Sequence, residues 1–401
     1  MSKVLVLDSQ AQNSLAISRS LGRKGLSVTA GGYARRLPGM LSRHTDDTYV
    51  YPNPSEDADA FVEDLHAHLD AHDYDAVFAV TDILTSILSR HRDRLEATGT
   101  RIGVEDWEHF VTANDKFRLS ELADGTGVPH PRTWAPDSID DVERIERERE
   151  GRVVVKPRRT TLFGENGDTY TNRMDGANYV AADEDLVARF REITNDDDGL
   201  RSVLPIVQEY VPGDETMCTV GLADSGELKA VFQHEKEHVY PPSGGIGAIR
   251  TGTWQPQMRE YAERIVEALD WTGPVHVEFM RTPDGDFSLL EVNGRYWGAT
   301  ALAINSGVDV PWLHYLQLVG DPLPPIAYGE YRMDVHQRKL FYTDLLWLRE
   351  ELRRGRWSSL LPFAESFLTT REEFLDPTDP LPLLGVIPRT RNVLETRTDQ
   401  R

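Results

Sequence analysis

Residues 275–295 read VHVEFMRTPDGDFSLLEVNGR, and this stretch decides the fold of the second half of the chain. Polarity alternates on both sides of the PDGD segment, which predicts two antiparallel strands joined by a turn. Because strand side chains alternate with a period of two, Glu291 and Asn293 share a face, and Glu278 lies on the other strand of the hairpin. Two carboxylates and an amide oxygen are hard ligands suited to Mg²⁺, with Arg295 on the same face as a phosphate partner.

A lysine upstream of this hairpin follows a run of valines. Val153–Val155 predicts a buried strand, and Lys156 at its end must either reach solvent or face an anion. The next residues, Arg158–Asp168, combine basic, hydroxyl and glycine residues, as in a loop that folds over phosphates with main-chain N–H groups. This loop favours an anion as the partner of Lys156.

The first hundred residues alternate between strand-like and helix-like segments. Lys3–Asp8 and Leu26–Ala30 flank a helical pattern, and Asp75–Val80 precedes another helix, so the pattern predicts a parallel α/β sheet. Neither the glycine-rich dinucleotide motif nor the P-loop motif is present. The main support for NAD binding and for P-loop ATP binding is therefore missing. Ser9 and Asn13 follow the first strand, where two readings stay open: contact with a small ligand, or capping of the first helix.

Composition limits the class of protein. The chain has 401 residues, a formal charge of −22, one cysteine, and 7 lysines against 37 arginines. No apolar run is long enough for a membrane helix, and the acidic charge argues against nonspecific nucleic-acid binding, so we expect a soluble, cytoplasmic protein. An acidic, lysine-poor composition also resembles that of proteins from salt-loving organisms, and it makes each retained lysine worth examining.

The order of these segments resembles the ATP-grasp superfamily, in particular its carboxylate–amine ligase branch and carbamoyl-phosphate-synthase-like enzymes. The resemblance extends over about residues 1–320 and rests on Asp115-Lys116, Lys156 before its loop, Gln208–Val211 with Glu215, Glu278, and Glu291–Arg295. It implies a Rossmann-like parallel-sheet domain at 1–110, ATP-grasp subdomains at 111–205 and 206–325, and a C-terminal extension at 326–401. The expected fold class is therefore mixed α/β and α+β.

The resemblance also implies roles for individual residues. Lys116 and Lys156 would contact the nucleotide phosphates, and Glu278, Glu291 and Asn293 would bind Mg²⁺, for which Mn²⁺ is an alternative. The backbone of Glu209, Tyr210 and Val211 would contact adenine, and Glu215 would accept hydrogen bonds from the ribose. The glycine-rich segment before Arg250 is either a surface crossover or a loop that closes over an acyl phosphate, with Arg250 and Arg295 holding its anionic oxygens.

The resulting expectation is an ATP-dependent ligase that joins a small carboxylate to an amine through an acyl phosphate, with Lys156, Arg250 and Arg295 in catalytic roles. Two alternatives stay open, a carboxylase-type enzyme that activates bicarbonate and a nucleotide-binding regulator without turnover. The expected partners are small molecules rather than nucleic acid or membrane, and the sequence leaves a homodimer open.

Overall fold

The computed structural model describes residues 2–163, 169–171, 178–195, 200, 203–213, 215–240 and 246–386. Some segments singled out above therefore lie outside the described residues, namely 164–168 of the phosphate loop, 241–245 of the glycine-rich segment, and 387–401 of the extension. None of the described helices is both long and apolar enough to cross a membrane.

The N-terminal part is a parallel sheet with strand order β3-β2-β1-β4-β5. Its strands and helices are β1 Lys3–Val6, α1 Gln12–Arg23, β2 Ser27–Gly32, β3 Asp47–Val50, α2 Ala58–Asp70, β4 Ala76–Phe78, α3 Asp82–Arg90, α4 Arg92–Glu96, β5 Arg101–Ile102 and α5 Trp107–Asn114. The predicted parallel α/β sheet is confirmed.

One aspartate ties together the carboxyl ends of two neighbouring strands in this sheet. Asp8, just after β1, has a positive φ of 61° and is 1% exposed. Its carboxylate accepts the N–H groups of Val80 and Thr81 at 3.0 and 2.9 Å. These bonds fix the turn after β4, so that α3 begins with Asp82 at the edge where open parallel sheets bind ligands.

A smaller antiparallel sheet follows, with strand order β10-β7-β11-β6, and β8 pairs with β9. This part contains α6 Lys116–Asp124, β6 Thr133–Trp134, α7 Ile139–Glu148, β7 Val153–Lys156, β8 Thr161–Phe163, β9 Thr169–Thr171, β10 Tyr179–Val180, α8 Leu186–Asn195 and β11 Ile206–Glu209. The valine run before Lys156 is buried, as its apolar character predicts.

The largest sheet has the order β16-β15-β12-β13-β14-β17-β18 and is antiparallel except between β17 and β18. It contains β12 Glu215–Asp224, β13 Glu227–Tyr240, β14 Ile246–Thr253, β15 Gly273–Arg281, β16 Phe287–Asn293, β17 His336–Arg338 and β18 Thr370–Glu372. The helices of this part are α9 Pro256–Ala268, α10 Thr300–Ser306, α11 Val310–Val319, α12 Leu345–Arg353 and α13 Leu360–Thr369, with a π-helical turn at Leu340–Asp344.

The first and last sheets share a hydrophobic core, in which Val6 and Phe78 pack in one cluster with Phe232 and Trp297. The shared core packs the parallel sheet against the large sheet. The C-terminal extension is part of the same body, because β17 and β18 extend the large sheet. A buried pair, Arg19 Nε to Asp379 Oδ2 at 2.8 Å, also joins the extension to α1.

Candidate active site

Strands β15 and β16 carry a two-by-two array of polar side chains on the wall of a cavity of about 550 Å³. In their ladder Glu278 lies opposite Glu291, and His276 lies opposite Asn293. All four residues line the cavity. Like charges directly opposite each other destabilise an antiparallel pair, so this array requires cations nearby.

Two ammonium groups stand beside these carboxylates. Lys236 Nζ donates to Glu278 Oε1 at 3.1 Å, and Lys116 Nζ lies 3.9 Å from Glu291 Oε2. The Asn293 amide also donates to Glu291 Oε1 at 2.9 Å. Desolvation would raise the pKa of Glu291, but Lys116, the amide and Lys156 outweigh it and lower this pKa to about 2. Glu291 is therefore an anion at neutral pH.

Asp115 positions both Lys116 and the start of the loop Arg158–Asp168, which was predicted to cover phosphates. Its carboxylate caps α6 by accepting backbone N–H groups two and three residues ahead, which places Lys116 at the first position of the helix. The same carboxylate accepts Arg158 Nε at 2.8 Å and Arg159 Nε at 3.1 Å. The buried Asp115 thus holds Arg158 and Arg159 close to the start of α6, where Lys116 lies.

Lys156 points toward this same region from the end of β7. Its Nζ donates to Gln208 Oε1 at 2.8 Å, and Gln208 in turn donates to Thr133. Burial, followed by the charge of Lys116, lowers the pKa of Lys156 to about 8. An ammonium held in this way would be stabilised by an anionic ligand.

Two arginines also line the cavity. Arg295 Nε donates to Asp82 Oδ1 at 2.6 Å, which joins the large sheet to the start of α3. Arg250 Nη1 donates to the carbonyl of Gly298 at 3.2 Å. Gly247 and Gly298 make room here, since an added Cβ would come within 3.2 Å of Arg250 Nε and 3.5 Å of Arg250 Nη2, respectively.

Asn13 also lines the cavity, from the first turn of α1. The capping alternative for Ser9 and Asn13 is wrong, because α1 begins after Ala11 without any side-chain cap. Asp8 holds the strand end instead, through the bonds described above.

The residues expected around adenine and ribose lie elsewhere. Tyr210 follows β11 and packs edge-on against Tyr179, with the Arg152 guanidinium 4.5 Å from its ring centroid. Glu215 begins β12 opposite Arg281. Neither these residues nor Glu209 and Val211 are among the described residues that line the cavity. Their roles stay a prediction.

A second set of cavity residues was not predicted: Cys218, His234, Lys236, His276 and Lys339. Lysine scarcity was the available signal, because Lys116, Lys156, Lys236 and Lys339 are four of the seven lysines and all stand in or beside this cavity. In the part of the chain that the structure describes, Cys218, His276 and Glu278 also bring ligand atoms within 4.8 Å of one another, close enough to share a metal ion.

Comparison with known proteins gives a family match in this region. Residues 202–339 match the family described as ATP-grasp in the biosynthetic pathway with Ter operon. A curated relative, the arginine-specific large chain of carbamoyl phosphate synthase from Neurospora crassa mitochondria, is 23% identical over 217 residues, which are 50% of this chain. The match spans only 17% of that relative's length.

Three solved structures resemble most of the chain, each with 84% of it covered. Biotin carboxylase from Campylobacter jejuni has a TM-score of 0.66 at 13% identity over 74% of its own chain. The biotin carboxylase domain of Hydrogenobacter thermophilus 2-oxoglutarate carboxylase, a dimer with MgADP and bicarbonate, has a TM-score of 0.63 at 15% identity over 73% of its own chain. L-amino acid ligase from Bacillus licheniformis has a TM-score of 0.60 at 18% identity over 78% of its own chain.

These likenesses establish the architecture, and the family match covers the strands that build the cavity, from β11 to β17. Residues 202–339 thus match an ATP-grasp family, and the chain has the ATP-grasp fold.

Proposed function

We propose that this protein is an ATP- and Mg²⁺-dependent ligase that joins a small carboxylate to an amine through an acyl phosphate, releasing ADP and phosphate. The observation that carries the proposal is the pairing of Glu278 with Glu291 in a cavity whose other charged groups are mostly cationic. Such a site suits a substrate that is rich in negative charge and is bound together with a divalent cation.

The donor set fits Mg²⁺. Glu278, Glu291 and Asn293 offer oxygen atoms from one face of a rigid hairpin, the ligand type that Mg²⁺ prefers, and Mn²⁺ uses the same ligands. The ammonium groups of Lys236 and Lys116 now neutralise the two carboxylates. When bound, the ion would neutralise the terminal phosphate oxygens of ATP.

The protein's own cations would orient the phosphoryl group. Lys116, at the start of α6, and Lys156, at the end of β7, both act on Glu291, which suits them to hold the phosphates beside the proposed metal ligands. Arg250 and Arg295 also line the cavity, where they would hold the transferred phosphoryl group in line with the substrate carboxylate. Positioning and charge neutralisation supply most of the rate enhancement in such transfers.

The adenine and ribose contacts of the proposal come from the family resemblance. The backbone from Glu209 to Val211 would bind adenine, and Glu215, whose side chain is 31% exposed, would accept from the ribose. This carboxylate also lies 3.9 Å from Arg281 Nη1, so the ribose would bind beside that ion pair.

A screen for ADP formation tests this function. We would incubate the protein with Mg-ATP and each amino acid or small acid, with and without a second amine, in molar KCl. The proposal expects ADP release that depends on both a carboxylate and an amine. ADP release with bicarbonate alone would favour the carboxylase alternative. ATP binding without turnover under every condition would favour a regulator.

A homodimer is part of the proposal, supported by the apolar surface of α13 and the segment before it. Trp357, Leu361 and Leu368 are 67%, 66% and 90% exposed, and apolar patches of this kind mark interaction sites. The Hydrogenobacter carboxylase domain is described as a dimer. Sedimentation of the chain and of a Leu361→Ser, Leu368→Ser variant tests it, with a monomeric wild type as the contradicting result.

The cytoplasm of a salt-loving organism is the proposed setting. The charge of −22, the scarcity of lysine and the single cysteine support it, since acidic surfaces tolerate molar salt and reducing compartments need no disulfides.

A further inference from the structure

The large sheet carries a second group of side chains of metal-binding type beside the proposed Mg²⁺ ligands. In the ladders Cys218 of β12 lies opposite Glu278 of β15 on one side and opposite His234 of β13 on the other. His276 precedes Glu278 by two residues, so both project from the same face of β15. All four residues line the cavity. A thiol, two imidazoles and a carboxylate thus meet on one wall.

Three of these residues converge on a single oxygen atom. Cys218 Sγ lies 4.0 Å from Glu278 Oε2, and His276 Nε2 lies 3.8 Å from the same oxygen. The three ligand atoms all lie within 4.8 Å of one another. A tetrahedral ion with bonds of about 2.0–2.3 Å holds its ligand atoms about 3.3–3.8 Å apart. Shifts of about 1 Å or less would therefore bring the three atoms to coordination distance.

The Glu278 carboxylate is already oriented for this contact. Its other oxygen, Oε1, accepts from Lys236 Nζ at 3.1 Å. That bond holds the carboxylate and leaves Oε2 turned toward the thiol and the imidazole. The side chains of His276 and Glu278 are 12% and 16% exposed, and Cys218 is 1% exposed. Most of each ligand is therefore shielded from water.

The two imidazoles lack the partners that buried polar groups normally have. His276 Nε2 has no hydrogen-bond partner among the described residues, whereas its other ring nitrogen, Nδ1, lies 3.3 Å from Asn293 Nδ2. His234 is 3% exposed, and neither of its ring nitrogens has a partner within the same part of the chain. Because buried polar atoms are normally satisfied, these unpaired nitrogens point to a ligand that the cavity is built to take.

The types of donor select the kind of ligand. Thiolate sulfur and imidazole nitrogen suit Zn²⁺ and related transition metals, whereas Mg²⁺ prefers oxygen. Oxygen donors stand on the next strand, β16, where Glu291 and Asn293 lie. Glu278 has the thiol of Cys218 on one side and the carboxylate of Glu291 on the other. The wall therefore offers a softer donor set beside the harder one.

We propose that Cys218, His276 and Glu278 form a binding site for Zn²⁺, which shares only Glu278 with the proposed Mg²⁺ site. With three protein ligands on a cavity wall, the fourth position of a tetrahedral ion is left for water or a substrate atom. This inference goes beyond the proposed ligase function and does not depend on it, since the ion binds without ATP.

The binding step balances as follows. The Cys218 thiol gives its proton to solvent as the zinc–sulfur bond forms. His276 binds through the electron pair of Nε2, as a neutral ring with its proton on Nδ1. Glu278 contributes Oε2 as a carboxylate. The two negative charges of the thiolate and the carboxylate match the two positive charges of the ion.

Co²⁺ makes the proposed site visible. Cys218 is the only cysteine of the chain, so a sulfur-to-cobalt charge-transfer absorption can come from no other residue. We would titrate the full chain, reduced and freed of metal, with Co²⁺ in the absence of nucleotide. One equivalent should bind and give this absorption together with the visible bands of tetrahedral Co²⁺. Zn²⁺ added afterwards should remove both, because this donor set suits Zn²⁺.

Three variants locate the bound ion. Cys218→Ser should abolish the charge-transfer absorption. His276→Gln and Glu278→Gln should each weaken Co²⁺ binding at least about tenfold, since loss of even an outer partner of a metal ligand typically costs about 10–100-fold in affinity. If Cys218→Ser does not fold, the other two variants still decide the question, because unchanged Co²⁺ affinity in both would contradict the site.

Glu291→Gln is the matched control. Glu291 lines the same cavity and lies opposite Glu278, but it belongs to the proposed Mg²⁺ site alone. Because the donor set of the zinc site does not include Glu291, this variant should keep the charge-transfer absorption and a Co²⁺ affinity within about threefold of the wild type.

Co²⁺ that binds without the charge-transfer absorption, or that Glu291→Gln weakens as much as Glu278→Gln does, would place the ion on the oxygen ligands and overturn the inference. A wild type that binds neither Co²⁺ nor Zn²⁺, or Zn²⁺ that fails to displace Co²⁺, would also overturn it. Failure of the proposed ligase function would show differently, as a lack of ADP formation with the Co²⁺ absorption unaffected.

Discussion

Glu278 and Glu291 are direct cross-strand partners in the β15–β16 ladder, so two carboxylates that repel each other share one wall of the cavity. This arrangement costs stability in an antiparallel pair unless cations neutralise it. Lys236 and Lys116 do so in the structure, and in the proposed reaction a divalent cation carrying ATP phosphates would do so.

Removing one of these charges should stop the reaction. We expect Glu291→Gln to lower ADP formation at least about a hundredfold, because metal-assisted charge stabilisation contributes several kcal/mol. Asp284→Asn, an exposed change in the turn of the same hairpin, should leave turnover unchanged. A folded Glu291→Gln protein with near wild-type turnover would contradict the metal assignment.

Nucleotide binding should take up protons. With its pKa at about 8, Lys156 is half protonated at pH 8, and nearby phosphate charges would raise this pKa, giving an uptake of about half a proton. Titration calorimetry of Mg-ADP in buffers of different ionisation enthalpy measures it. Lys156→Met should abolish the uptake, whereas Lys229→Met on the surface should keep it. Proton release, or uptake unchanged in Lys156→Met, would count against the phosphate role.

Without nucleotide, Lys156 gives the stability a pH dependence of known sign. Its folded pKa of about 8 lies below the ordinary value of 10.5, so between these pH values the unfolded chain binds more protons. The contribution of Lys156 to the free energy of unfolding therefore rises with pH across this window. The free energy of unfolding of Lys156→Met, measured with denaturant, should lack this rise with pH. The same pH profile in the variant and the wild type would refute the contribution of Lys156.

The buried ion pair between Arg19 and Asp379, which joins the C-terminal extension to α1, should contribute strongly to the free energy of unfolding. Arg19 and Asp379 have side chains only 8% and 1% exposed, and breaking a buried pair by removing one partner typically costs about 3–5 kcal/mol. Denaturant unfolding of Arg19→Met should show a loss of this size. Arg23→Met, which removes the more exposed pair with Asp376, should cost less than about 1 kcal/mol. Similar losses of unfolding free energy in both variants would show that burial does not set how much each ion pair stabilises the protein.

Stability should fall as salt is diluted. With a charge of −22, repulsion acts over a Debye length that grows from about 3 Å at 1 M to about 10 Å at 0.1 M. Thermal unfolding followed from molar to 0.1 M KCl should give falling midpoints. Midpoints that stay flat would contradict the proposed saline setting.

The sequence predicted what depends on local patterns. The period-two alternation of residues 275–295 predicted the hairpin and the shared face of Glu291 and Asn293, because register within a hairpin follows from its turn. The parallel sheet followed likewise from alternating strand and helix patterns. Lys236 and Lys339 could have been found by asking why a lysine-poor chain keeps them.

The remaining features depend on contacts between distant segments. Asp82 and Arg295 are 213 residues apart, and only the packing of the first sheet against the last brings them together. Glu373 lies 3.5 Å from Arg250 because β18 pairs in parallel with β17, and nothing in the residues around it indicates that register. Neither arrangement has a periodic pattern that sequence reasoning could have used.

The central claim is that the carboxylate attacks the terminal phosphate of ATP, and oxygen tracing tests it most directly. A substrate carboxylate labelled with heavy oxygen is allowed to react with Mg-ATP and the amine, and the products are examined by mass spectrometry. The account predicts ADP and orthophosphate that carries one labelled oxygen. AMP with pyrophosphate, or orthophosphate without label, would contradict the acyl phosphate and the roles proposed for Lys116 and Lys156.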